Sequence, residues 1–78
     1  MADMPEDIRS RLARRVRVLR RKRCLTQQQL AELADLDYKH IQLLEGKRPP
    51  HPRLDTLEKL SRGLGVPLSR LIREAEKG

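Results

Sequence analysis

The chain has no tryptophan, no phenylalanine and one tyrosine. Aromatic bulk cannot fill its interior, so a core must be assembled from leucine, isoleucine, valine and alanine. The same scarcity removes the stacking platform on which single-stranded nucleic acids are read. One cysteine, Cys24, excludes an intramolecular disulfide and suits a reducing, cytoplasmic and nucleoid-associated setting. Cys24 reads as a small packing residue at a helix end in preference to a redox-sensing thiol. No apolar run approaches a membrane span, and the N-terminal Met-Ala-Asp-Met-Pro has no apolar signal region. With two histidines, no Ser-His-acid spacing and no glycine-rich phosphate loop, there is no catalytic chemistry to assign. No metal-ligand cluster is present either, and neither a cofactor nor a metal is expected. No segment is repetitive.

What is present is leucine at helical spacing. At 78 residues the chain is expected to be one domain, residues 1–78, near the lower limit for an unaided core. No alternating β-branched run appears, so the expected class is all-α with five helices. Helix 1 is expected over about 6–22, with Ile8, Leu12, Val16 and Leu19 as one core-facing stripe. That stripe is too narrow for a membrane-surface helix. Helices 2 and 3 are expected over about 27–34 and 38–45. The connector 47–52, Lys-Arg-Pro-Pro-His-Pro, cannot be helical, because its prolines lack N–H donors and extend their predecessors. Helix 4, about 53–63, carries Leu54, Leu57, Leu60 and then Leu64, and stops at Gly65. Gly63 within it serves either close packing or fraying. Helix 5 opens at Pro67, a residue suited to a first turn, with Leu68, Leu71, Ile72 and Ala75 on one stripe.

Residues 26–46 are the most specific stretch. Thr26 with Gln29 has the form of a capping box. Leu30, Leu33 and Ala34 share a face at three- and four-residue spacing, and Ala31 is small where a crossing helix must approach. Ile41 and Leu44 repeat the spacing beyond Leu36, which leaves Tyr38, Lys39 and Gln42 facing away from the apolar seam. Two short helices crossing over small and branched residues, the second polar outside, follow the helix-turn-helix plan.

These residues resemble the lambda-repressor-like (Cro/cI, XRE) helix-turn-helix family. Gln27 matches its opening glutamine, Leu30-Ala31 its Leu-Ala pair, Leu36 and Ile41 its core positions, and Glu45 its closing acid. Similarity continues through Leu54-Asp55-Thr56-Leu57, Leu60, Leu64-Gly65-Val66 and Leu71, and back to Leu19-Arg20, covering roughly residues 8–72. The chain departs from the pattern at Asp35 and Cys24, where the family commonly has glycine, and at Gly46, which comes one place early. Asp can take the left-handed conformation at modest cost. The resemblance implies a DNA-binding regulator, and a partly buried ion pair between Arg20 and Glu45. In size the chain is similar to restriction–modification controller proteins.

The formal charge of +7 is unevenly placed. Residues 9–23 hold nine arginines and lysines and no acid, while Asp3, Glu6 and Asp7 precede them, as suits a helix N-terminus. A domain this basic most simply meets a polyanion. For most of these cations a solvated face is the alternative to phosphate contact. The major groove accepts a helix and shows each base pair a distinct donor and acceptor pattern. Tyr38, Lys39, Gln42 and Leu43, with Asp37 just before them, are the candidate reading residues. Lys39 suits guanine and Gln42 adenine, and Tyr38 a phosphate or base edge. Leu43 either meets a thymine methyl or is partly buried beside helix 4. His40 and His51 read as backbone-facing or loop residues. Gln27 opens helix 2, where unpaired N–H groups favour an anion, and the family's glutamine there touches phosphate and braces the recognition helix. Gln28, Lys47 and Arg48 are further phosphate candidates.

One module of this size touches few base pairs, too few to select a site from a genome. A homodimer on a palindromic double-stranded operator is therefore expected, paired through the stripe Leu68, Leu71, Ile72 and Ala75, part of which must also cover Leu57, Leu60 and Leu64. A rival reading is an antitoxin or adaptor whose helix-turn-helix is a protein-binding scaffold.

Overall fold

The computed structural model describes residues 7–77, so Asp3 and Glu6 lie outside the described residues. Five helices follow one another: α1 (Ile8–Lys22), α2 (Gln27–Ala34), α3 (Tyr38–Leu44), α4 (Leu54–Leu64) and α5 (Leu68–Lys77). No strand occurs among the described residues. The expected boundaries shift by a residue or so where capping decides them. Asp7 caps α1, its carboxylate accepting from Arg9 N at 2.8 Å. Thr26 and Gln29 form both bonds of the capping box, at 3.0 and 2.9 Å. Arg53 is extended (φ −78°, ψ 158°) and stands outside α4 as its N-cap. Pro67 likewise stands outside α5, its carbonyl accepting from Arg70 and Leu71. Glu45 closes α3 as its C-cap.

One backbone device ends three helices. Leu25 N donates to Arg20 O while Cys24 N donates to Arg21 O. Leu36 and Asp35 repeat the pair onto Ala31 and Glu32, and Val66 and Gly65 repeat it onto Ser61 and Arg62. This is the Schellman arrangement, which requires a left-handed residue just past the helix. Cys24, Asp35 and Gly65 occupy that position with φ of 56°, 57° and 72°. The two departures from glycine thus keep the turn geometry that glycine would give. Cys24 is exposed, which corrects its expected packing role: the backbone turn fixes its place, not its side chain.

Val16, Leu19, Leu30, Ala31, Ala34, Ile41, Leu44, Leu60, Leu64, Leu71 and Ala75 form one shared core. Each fully buried leucine or isoleucine contributes roughly 1.5–3 kcal/mol over exposure. α2 packs across both α4 and α3, and α1 lies against α5. A Cβ on Gly63 would sit 3.0 Å from Ala34 Cβ and 3.1 Å from Ala34 N. Close packing, not fraying, is the reason for that glycine.

Three expected core positions are exposed: Ile8, Leu33 and Leu54. Ile8 and Leu54 are the first residues of their helices and precede the crossing. Leu33 fails on angle. At roughly 100° per residue, Leu30, Ala31 and Ala34 centre on one direction and Leu33 lies more than a right angle from it.

Candidate nucleic-acid interface

α3 is held at both ends. Asp35 turns the chain after α2, and Ile41 and Leu44 anchor the helix's inner face in the core. At its far end Glu45 is clasped from two sides. Arg20 Nε and Nη2 meet its carboxylate at 2.7 and 3.0 Å, in a bidentate pair whose Glu45 side chain is 2% exposed. Gln27 Nε2, from the first residue of α2, donates to the same carboxylate at 3.1 Å. Arg20 Nη1 also closes the turn onto Leu25 O at 2.8 Å. A two-pronged, charge-assisted contact of this kind fixes orientation as well as distance.

The outer face of α3 presents Tyr38, Lys39, Gln42 and Leu43 to solvent, with Asp37 exposed at the N-cap. Asp37 makes no side-chain capping bond. Gln42 Nε2 donates to Tyr38 Oη at 3.1 Å, one turn back, which aligns the two polar ends on one edge. Leu43 is 55% exposed, so burial beside α4 does not account for it. His40 is half-buried and His51 exposed in the connector. Gln28, Lys47 and Arg48 are exposed, and Gln27 is half-buried with its amide committed to Glu45. The candidate reading and phosphate residues therefore lie along α3 and on the segments flanking it.

The basic run of α1 does something that sequence reading missed. Arg11 Nε donates to Ala75 O near the end of α5 at 2.9 Å, and Arg23 Nη1 to Leu64 O, the last residue of α4, at 2.7 Å. Arg17 Nη1 donates to Glu45 O, at the end of α3. The C-terminal carbonyls of a helix lack intrahelical partners and carry its negative pole. Guanidinium groups of α1 and of its C-cap residue Arg23 thus cap three other helices. Arg15 pairs with Glu74 at 3.6 Å and Arg9 with Asp7 at 3.0 Å. The Glu74 carboxyl is held below its ordinary range, first by its hydrogen bond from Arg70 and also by the charges of Arg15 and Lys22. For Arg11, Arg17 and Arg23 a plain solvated face is therefore not the whole description. No local signal could have found the carbonyl contacts, because they join residues far apart in the chain.

The expected pairing surface needs correction. Leu71 and Ala75 are 0% and 2% exposed, buried within the chain's own core, and cannot face a second copy. α5 packs chiefly against α1 and also against α4, and its apolar stripe is covered there. Leu68 and Ile72 remain half-buried. Leu68 lines an open cleft with Leu54, which is 74% exposed, and Ile72 lines an apolar groove with Ile8, Leu12, Pro52 and Leu57. Among the described residues, no group of histidine, cysteine or carboxylate side chains could hold a metal ion. No described helix is long and apolar enough to cross a membrane.

A family model described as a helix-turn-helix domain matches residues 11–73. No curated protein matches in sequence. Among solved structures, the chain is similar to a hypothetical transcription factor, NHTF, from Neisseria. The two are 31% identical with a TM-score of 0.78, over 92% of this chain and 84% of that one. It is also similar to the restriction–modification controller protein C.AhdI from Aeromonas hydrophila, at 27% identity and a TM-score of 0.75, over 81% of this chain and 94% of that one. The controller protein C.Esp1396I, solved bound to a 19 base pair DNA duplex, shares the fold. Its identity is 22% and its TM-score 0.81, over 92% of this chain and 95% of that one. The matched segment runs from α1 into α5 and contains the braced α2–α3 pair, and the chain belongs to the helix-turn-helix domain family.

Proposed function

We propose that the chain is a sequence-specific, DNA-binding transcriptional regulator that acts as a homodimer and reads the major groove with α3. The observation that carries this reading is the polar outer edge of α3. Tyr38, Lys39 and Gln42 stand exposed on a helix whose far end is locked by Arg20, Gln27 and Glu45. A reading helix must offer long hydrogen-bonding side chains without itself shifting, since misplaced donors lose the base pattern. Gln28, Lys47 and Arg48 flank it as candidates for phosphate contact, and Asp37 and Leu43 border the reading edge. Family membership, and the structure of the similar protein C.Esp1396I bound to a DNA duplex, support DNA as the partner.

In this reading the protein is cytoplasmic, has no enzymatic step and needs no cofactor. Its 78 residues form one domain, and two copies pair through Leu68 and Ile72 together with the exposed Leu54. Half-sites then fall about one helical turn apart, roughly 34–36 Å. Selection of bound duplexes from random DNA tests the whole reading. The expected product is a palindrome with one dominant spacing. Recovery of unrelated sequences in proportion to the input would refute sequence-specific binding.

A further inference from the structure

The junction between α1 and the end of α3 holds a second cationic feature. Ser10, Arg17, Glu45, Gly46 and Lys47 line an open cleft of about 450 Å³. Ser10 and Arg17 lie about two turns apart and so share one side of α1. Arg17 is fixed there because its Nη1 donates to the Glu45 carbonyl. That bond uses one of five guanidinium donors. The Glu45 carboxylate brings little negative charge into the cleft, because its two oxygens are taken by Arg20 and Gln27. Gly46 keeps the rim low between Arg17 and the exposed Lys47.

We propose that this cleft takes one phosphodiester of the duplex backbone, with Arg17 and Lys47 supplying charge and Ser10 a hydroxyl. The proposal rests on the DNA-binding reading and extends it to a helix outside the helix-turn-helix. Distance favours it. Gln42 lies three residues before the C-cap Glu45, about 4.5 Å of rise, and Gly46 follows directly, against a major groove about 12 Å wide. A duplex whose base edges meet Gln42 therefore has a groove wall beside the cleft. The arginine fork suits a phosphate, which accepts two parallel N–H bonds. α1 would then hold the strand and brace α3 through the same side chain.

Binding titrations on the selected operator and on a scrambled duplex, at several salt concentrations, test this with Arg17→Met and Ser10→Glu. Arg17→Met is expected to weaken both duplexes alike, roughly tenfold, and to reduce the salt slope by about 0.9, the value of one released counterion. Ser10→Glu puts a carboxylate into the cleft at the first turn of α1, where an acid favours the helix. It remains folded and is expected to weaken both duplexes at least as much. If Arg17→Met loses operator affinity while keeping the wild-type salt slope, Arg17 only caps α3 and the proposal falls. Wild-type affinity in Ser10→Glu overturns it equally, whatever the state of Arg17→Met. A wild-type protein that binds neither duplex overturns the DNA-binding reading itself.

Discussion

Arg20 Nε lies 2.7 Å from Glu45 Oε2, and the pair ties the end of α1 to the end of α3 across 25 residues of chain. Glu45 is nearly sealed from water, so removing it strands a buried guanidinium. The loss for one partner of such a pair is typically about 3–5 kcal/mol. Glu45→Ala is expected to melt far below Glu76→Ala, which alters an exposed carboxylate on α5. Thermal unfolding followed by circular dichroism compares the two. Coincident midpoints would remove the pair from the account of stability.

Gly63 offers a test of close packing. Alanine normally favours a helix interior over glycine by about 1 kcal/mol. At this crossing the new methyl group meets Ala34 Cβ, Ala34 N and Leu30 Cδ1 at 3.0–3.1 Å, and one of those neighbours is backbone. Overpacking of this kind costs about 1–3 kcal/mol. Gly63→Ala is therefore expected to lower the denaturation midpoint, reversing the usual sign. A higher midpoint would mean that α2 and α4 separate easily.

Cys24 offers the opposite case. Its left-handed backbone costs roughly 1–2 kcal/mol with a side chain present, and its thiol is exposed. Glycine removes that strain but adds about 0.5–1 kcal/mol of unfolded-state freedom. Cys24→Gly is expected to gain up to about 1 kcal/mol, several degrees in Tm for a chain of this size. Cys24→Val, β-branched and unable to adopt the turn cheaply, is expected to lose stability. Calorimetry on the three proteins would decide it, and equal Tm values would contradict the strain.

Reading and grip should separate in DNA binding. Lys39→Ala and Gln42→Ala are each expected to cost about 1–3 kcal/mol per half-site on the operator, with relaxed preference at one base position. Arg48→Ala is expected to weaken operator and scrambled duplex together and to flatten the salt slope by about one unit. Tyr38→Phe removes the acceptor that holds Gln42 and is expected to reduce discrimination more than overall affinity. Quantitative gel-shift titrations on both duplexes distinguish these patterns. Helix 3 variants that bind both duplexes as the wild type does would eliminate α3 as the reading surface.

Pairing is tested at the residues that the fold leaves uncovered. Leu68→Glu and Ile72→Glu are each expected to raise the dimer dissociation constant and weaken operator binding while the helical signal persists. Leu71→Glu, by contrast, places a charge at a fully buried site and is expected to unfold the chain. Sedimentation velocity across a concentration series provides the measurement. A wild type that stays monomeric at micromolar concentration, and binds DNA so, would refute pairing.

Most of the helix layout was legible because its signals are local. The capping box at Thr26, the connector prolines and Gly65 each act within a few residues of themselves. The left-handed turns at Cys24 and Asp35 were less visible, since the conformation is set by two backbone bonds and not by residue type. Leucine periodicity overstated the core at Leu33, which lies more than a right angle off the buried direction of α2, and at Leu54, on a first turn that precedes the crossing. That part of the α5 stripe faces inward was legible, but not that Leu71 and Ala75 are that part, because an amphipathic stripe does not say which neighbour covers which residue. The roles of Arg11, Arg17 and Arg23 were illegible, because their partners are main-chain carbonyls that any residue would supply.

Those three carbonyl contacts span 64, 28 and 41 residues and originate on α1 and its C-cap residue. α3, α4 and α5 each therefore have a terminal carbonyl that accepts from this run of arginines, in addition to their own backbone closures. Partial opening should be rare. In native-state hydrogen exchange, the slow amides of the α3, α4 and α5 cores should exchange together, with the same free energy and the same denaturant sensitivity as those of α1. A chain of short helices, which by local contacts alone could fray one element at a time, is then expected to open as a single cooperative unit, tied by arginines that a charge count assigns to solvent or to DNA.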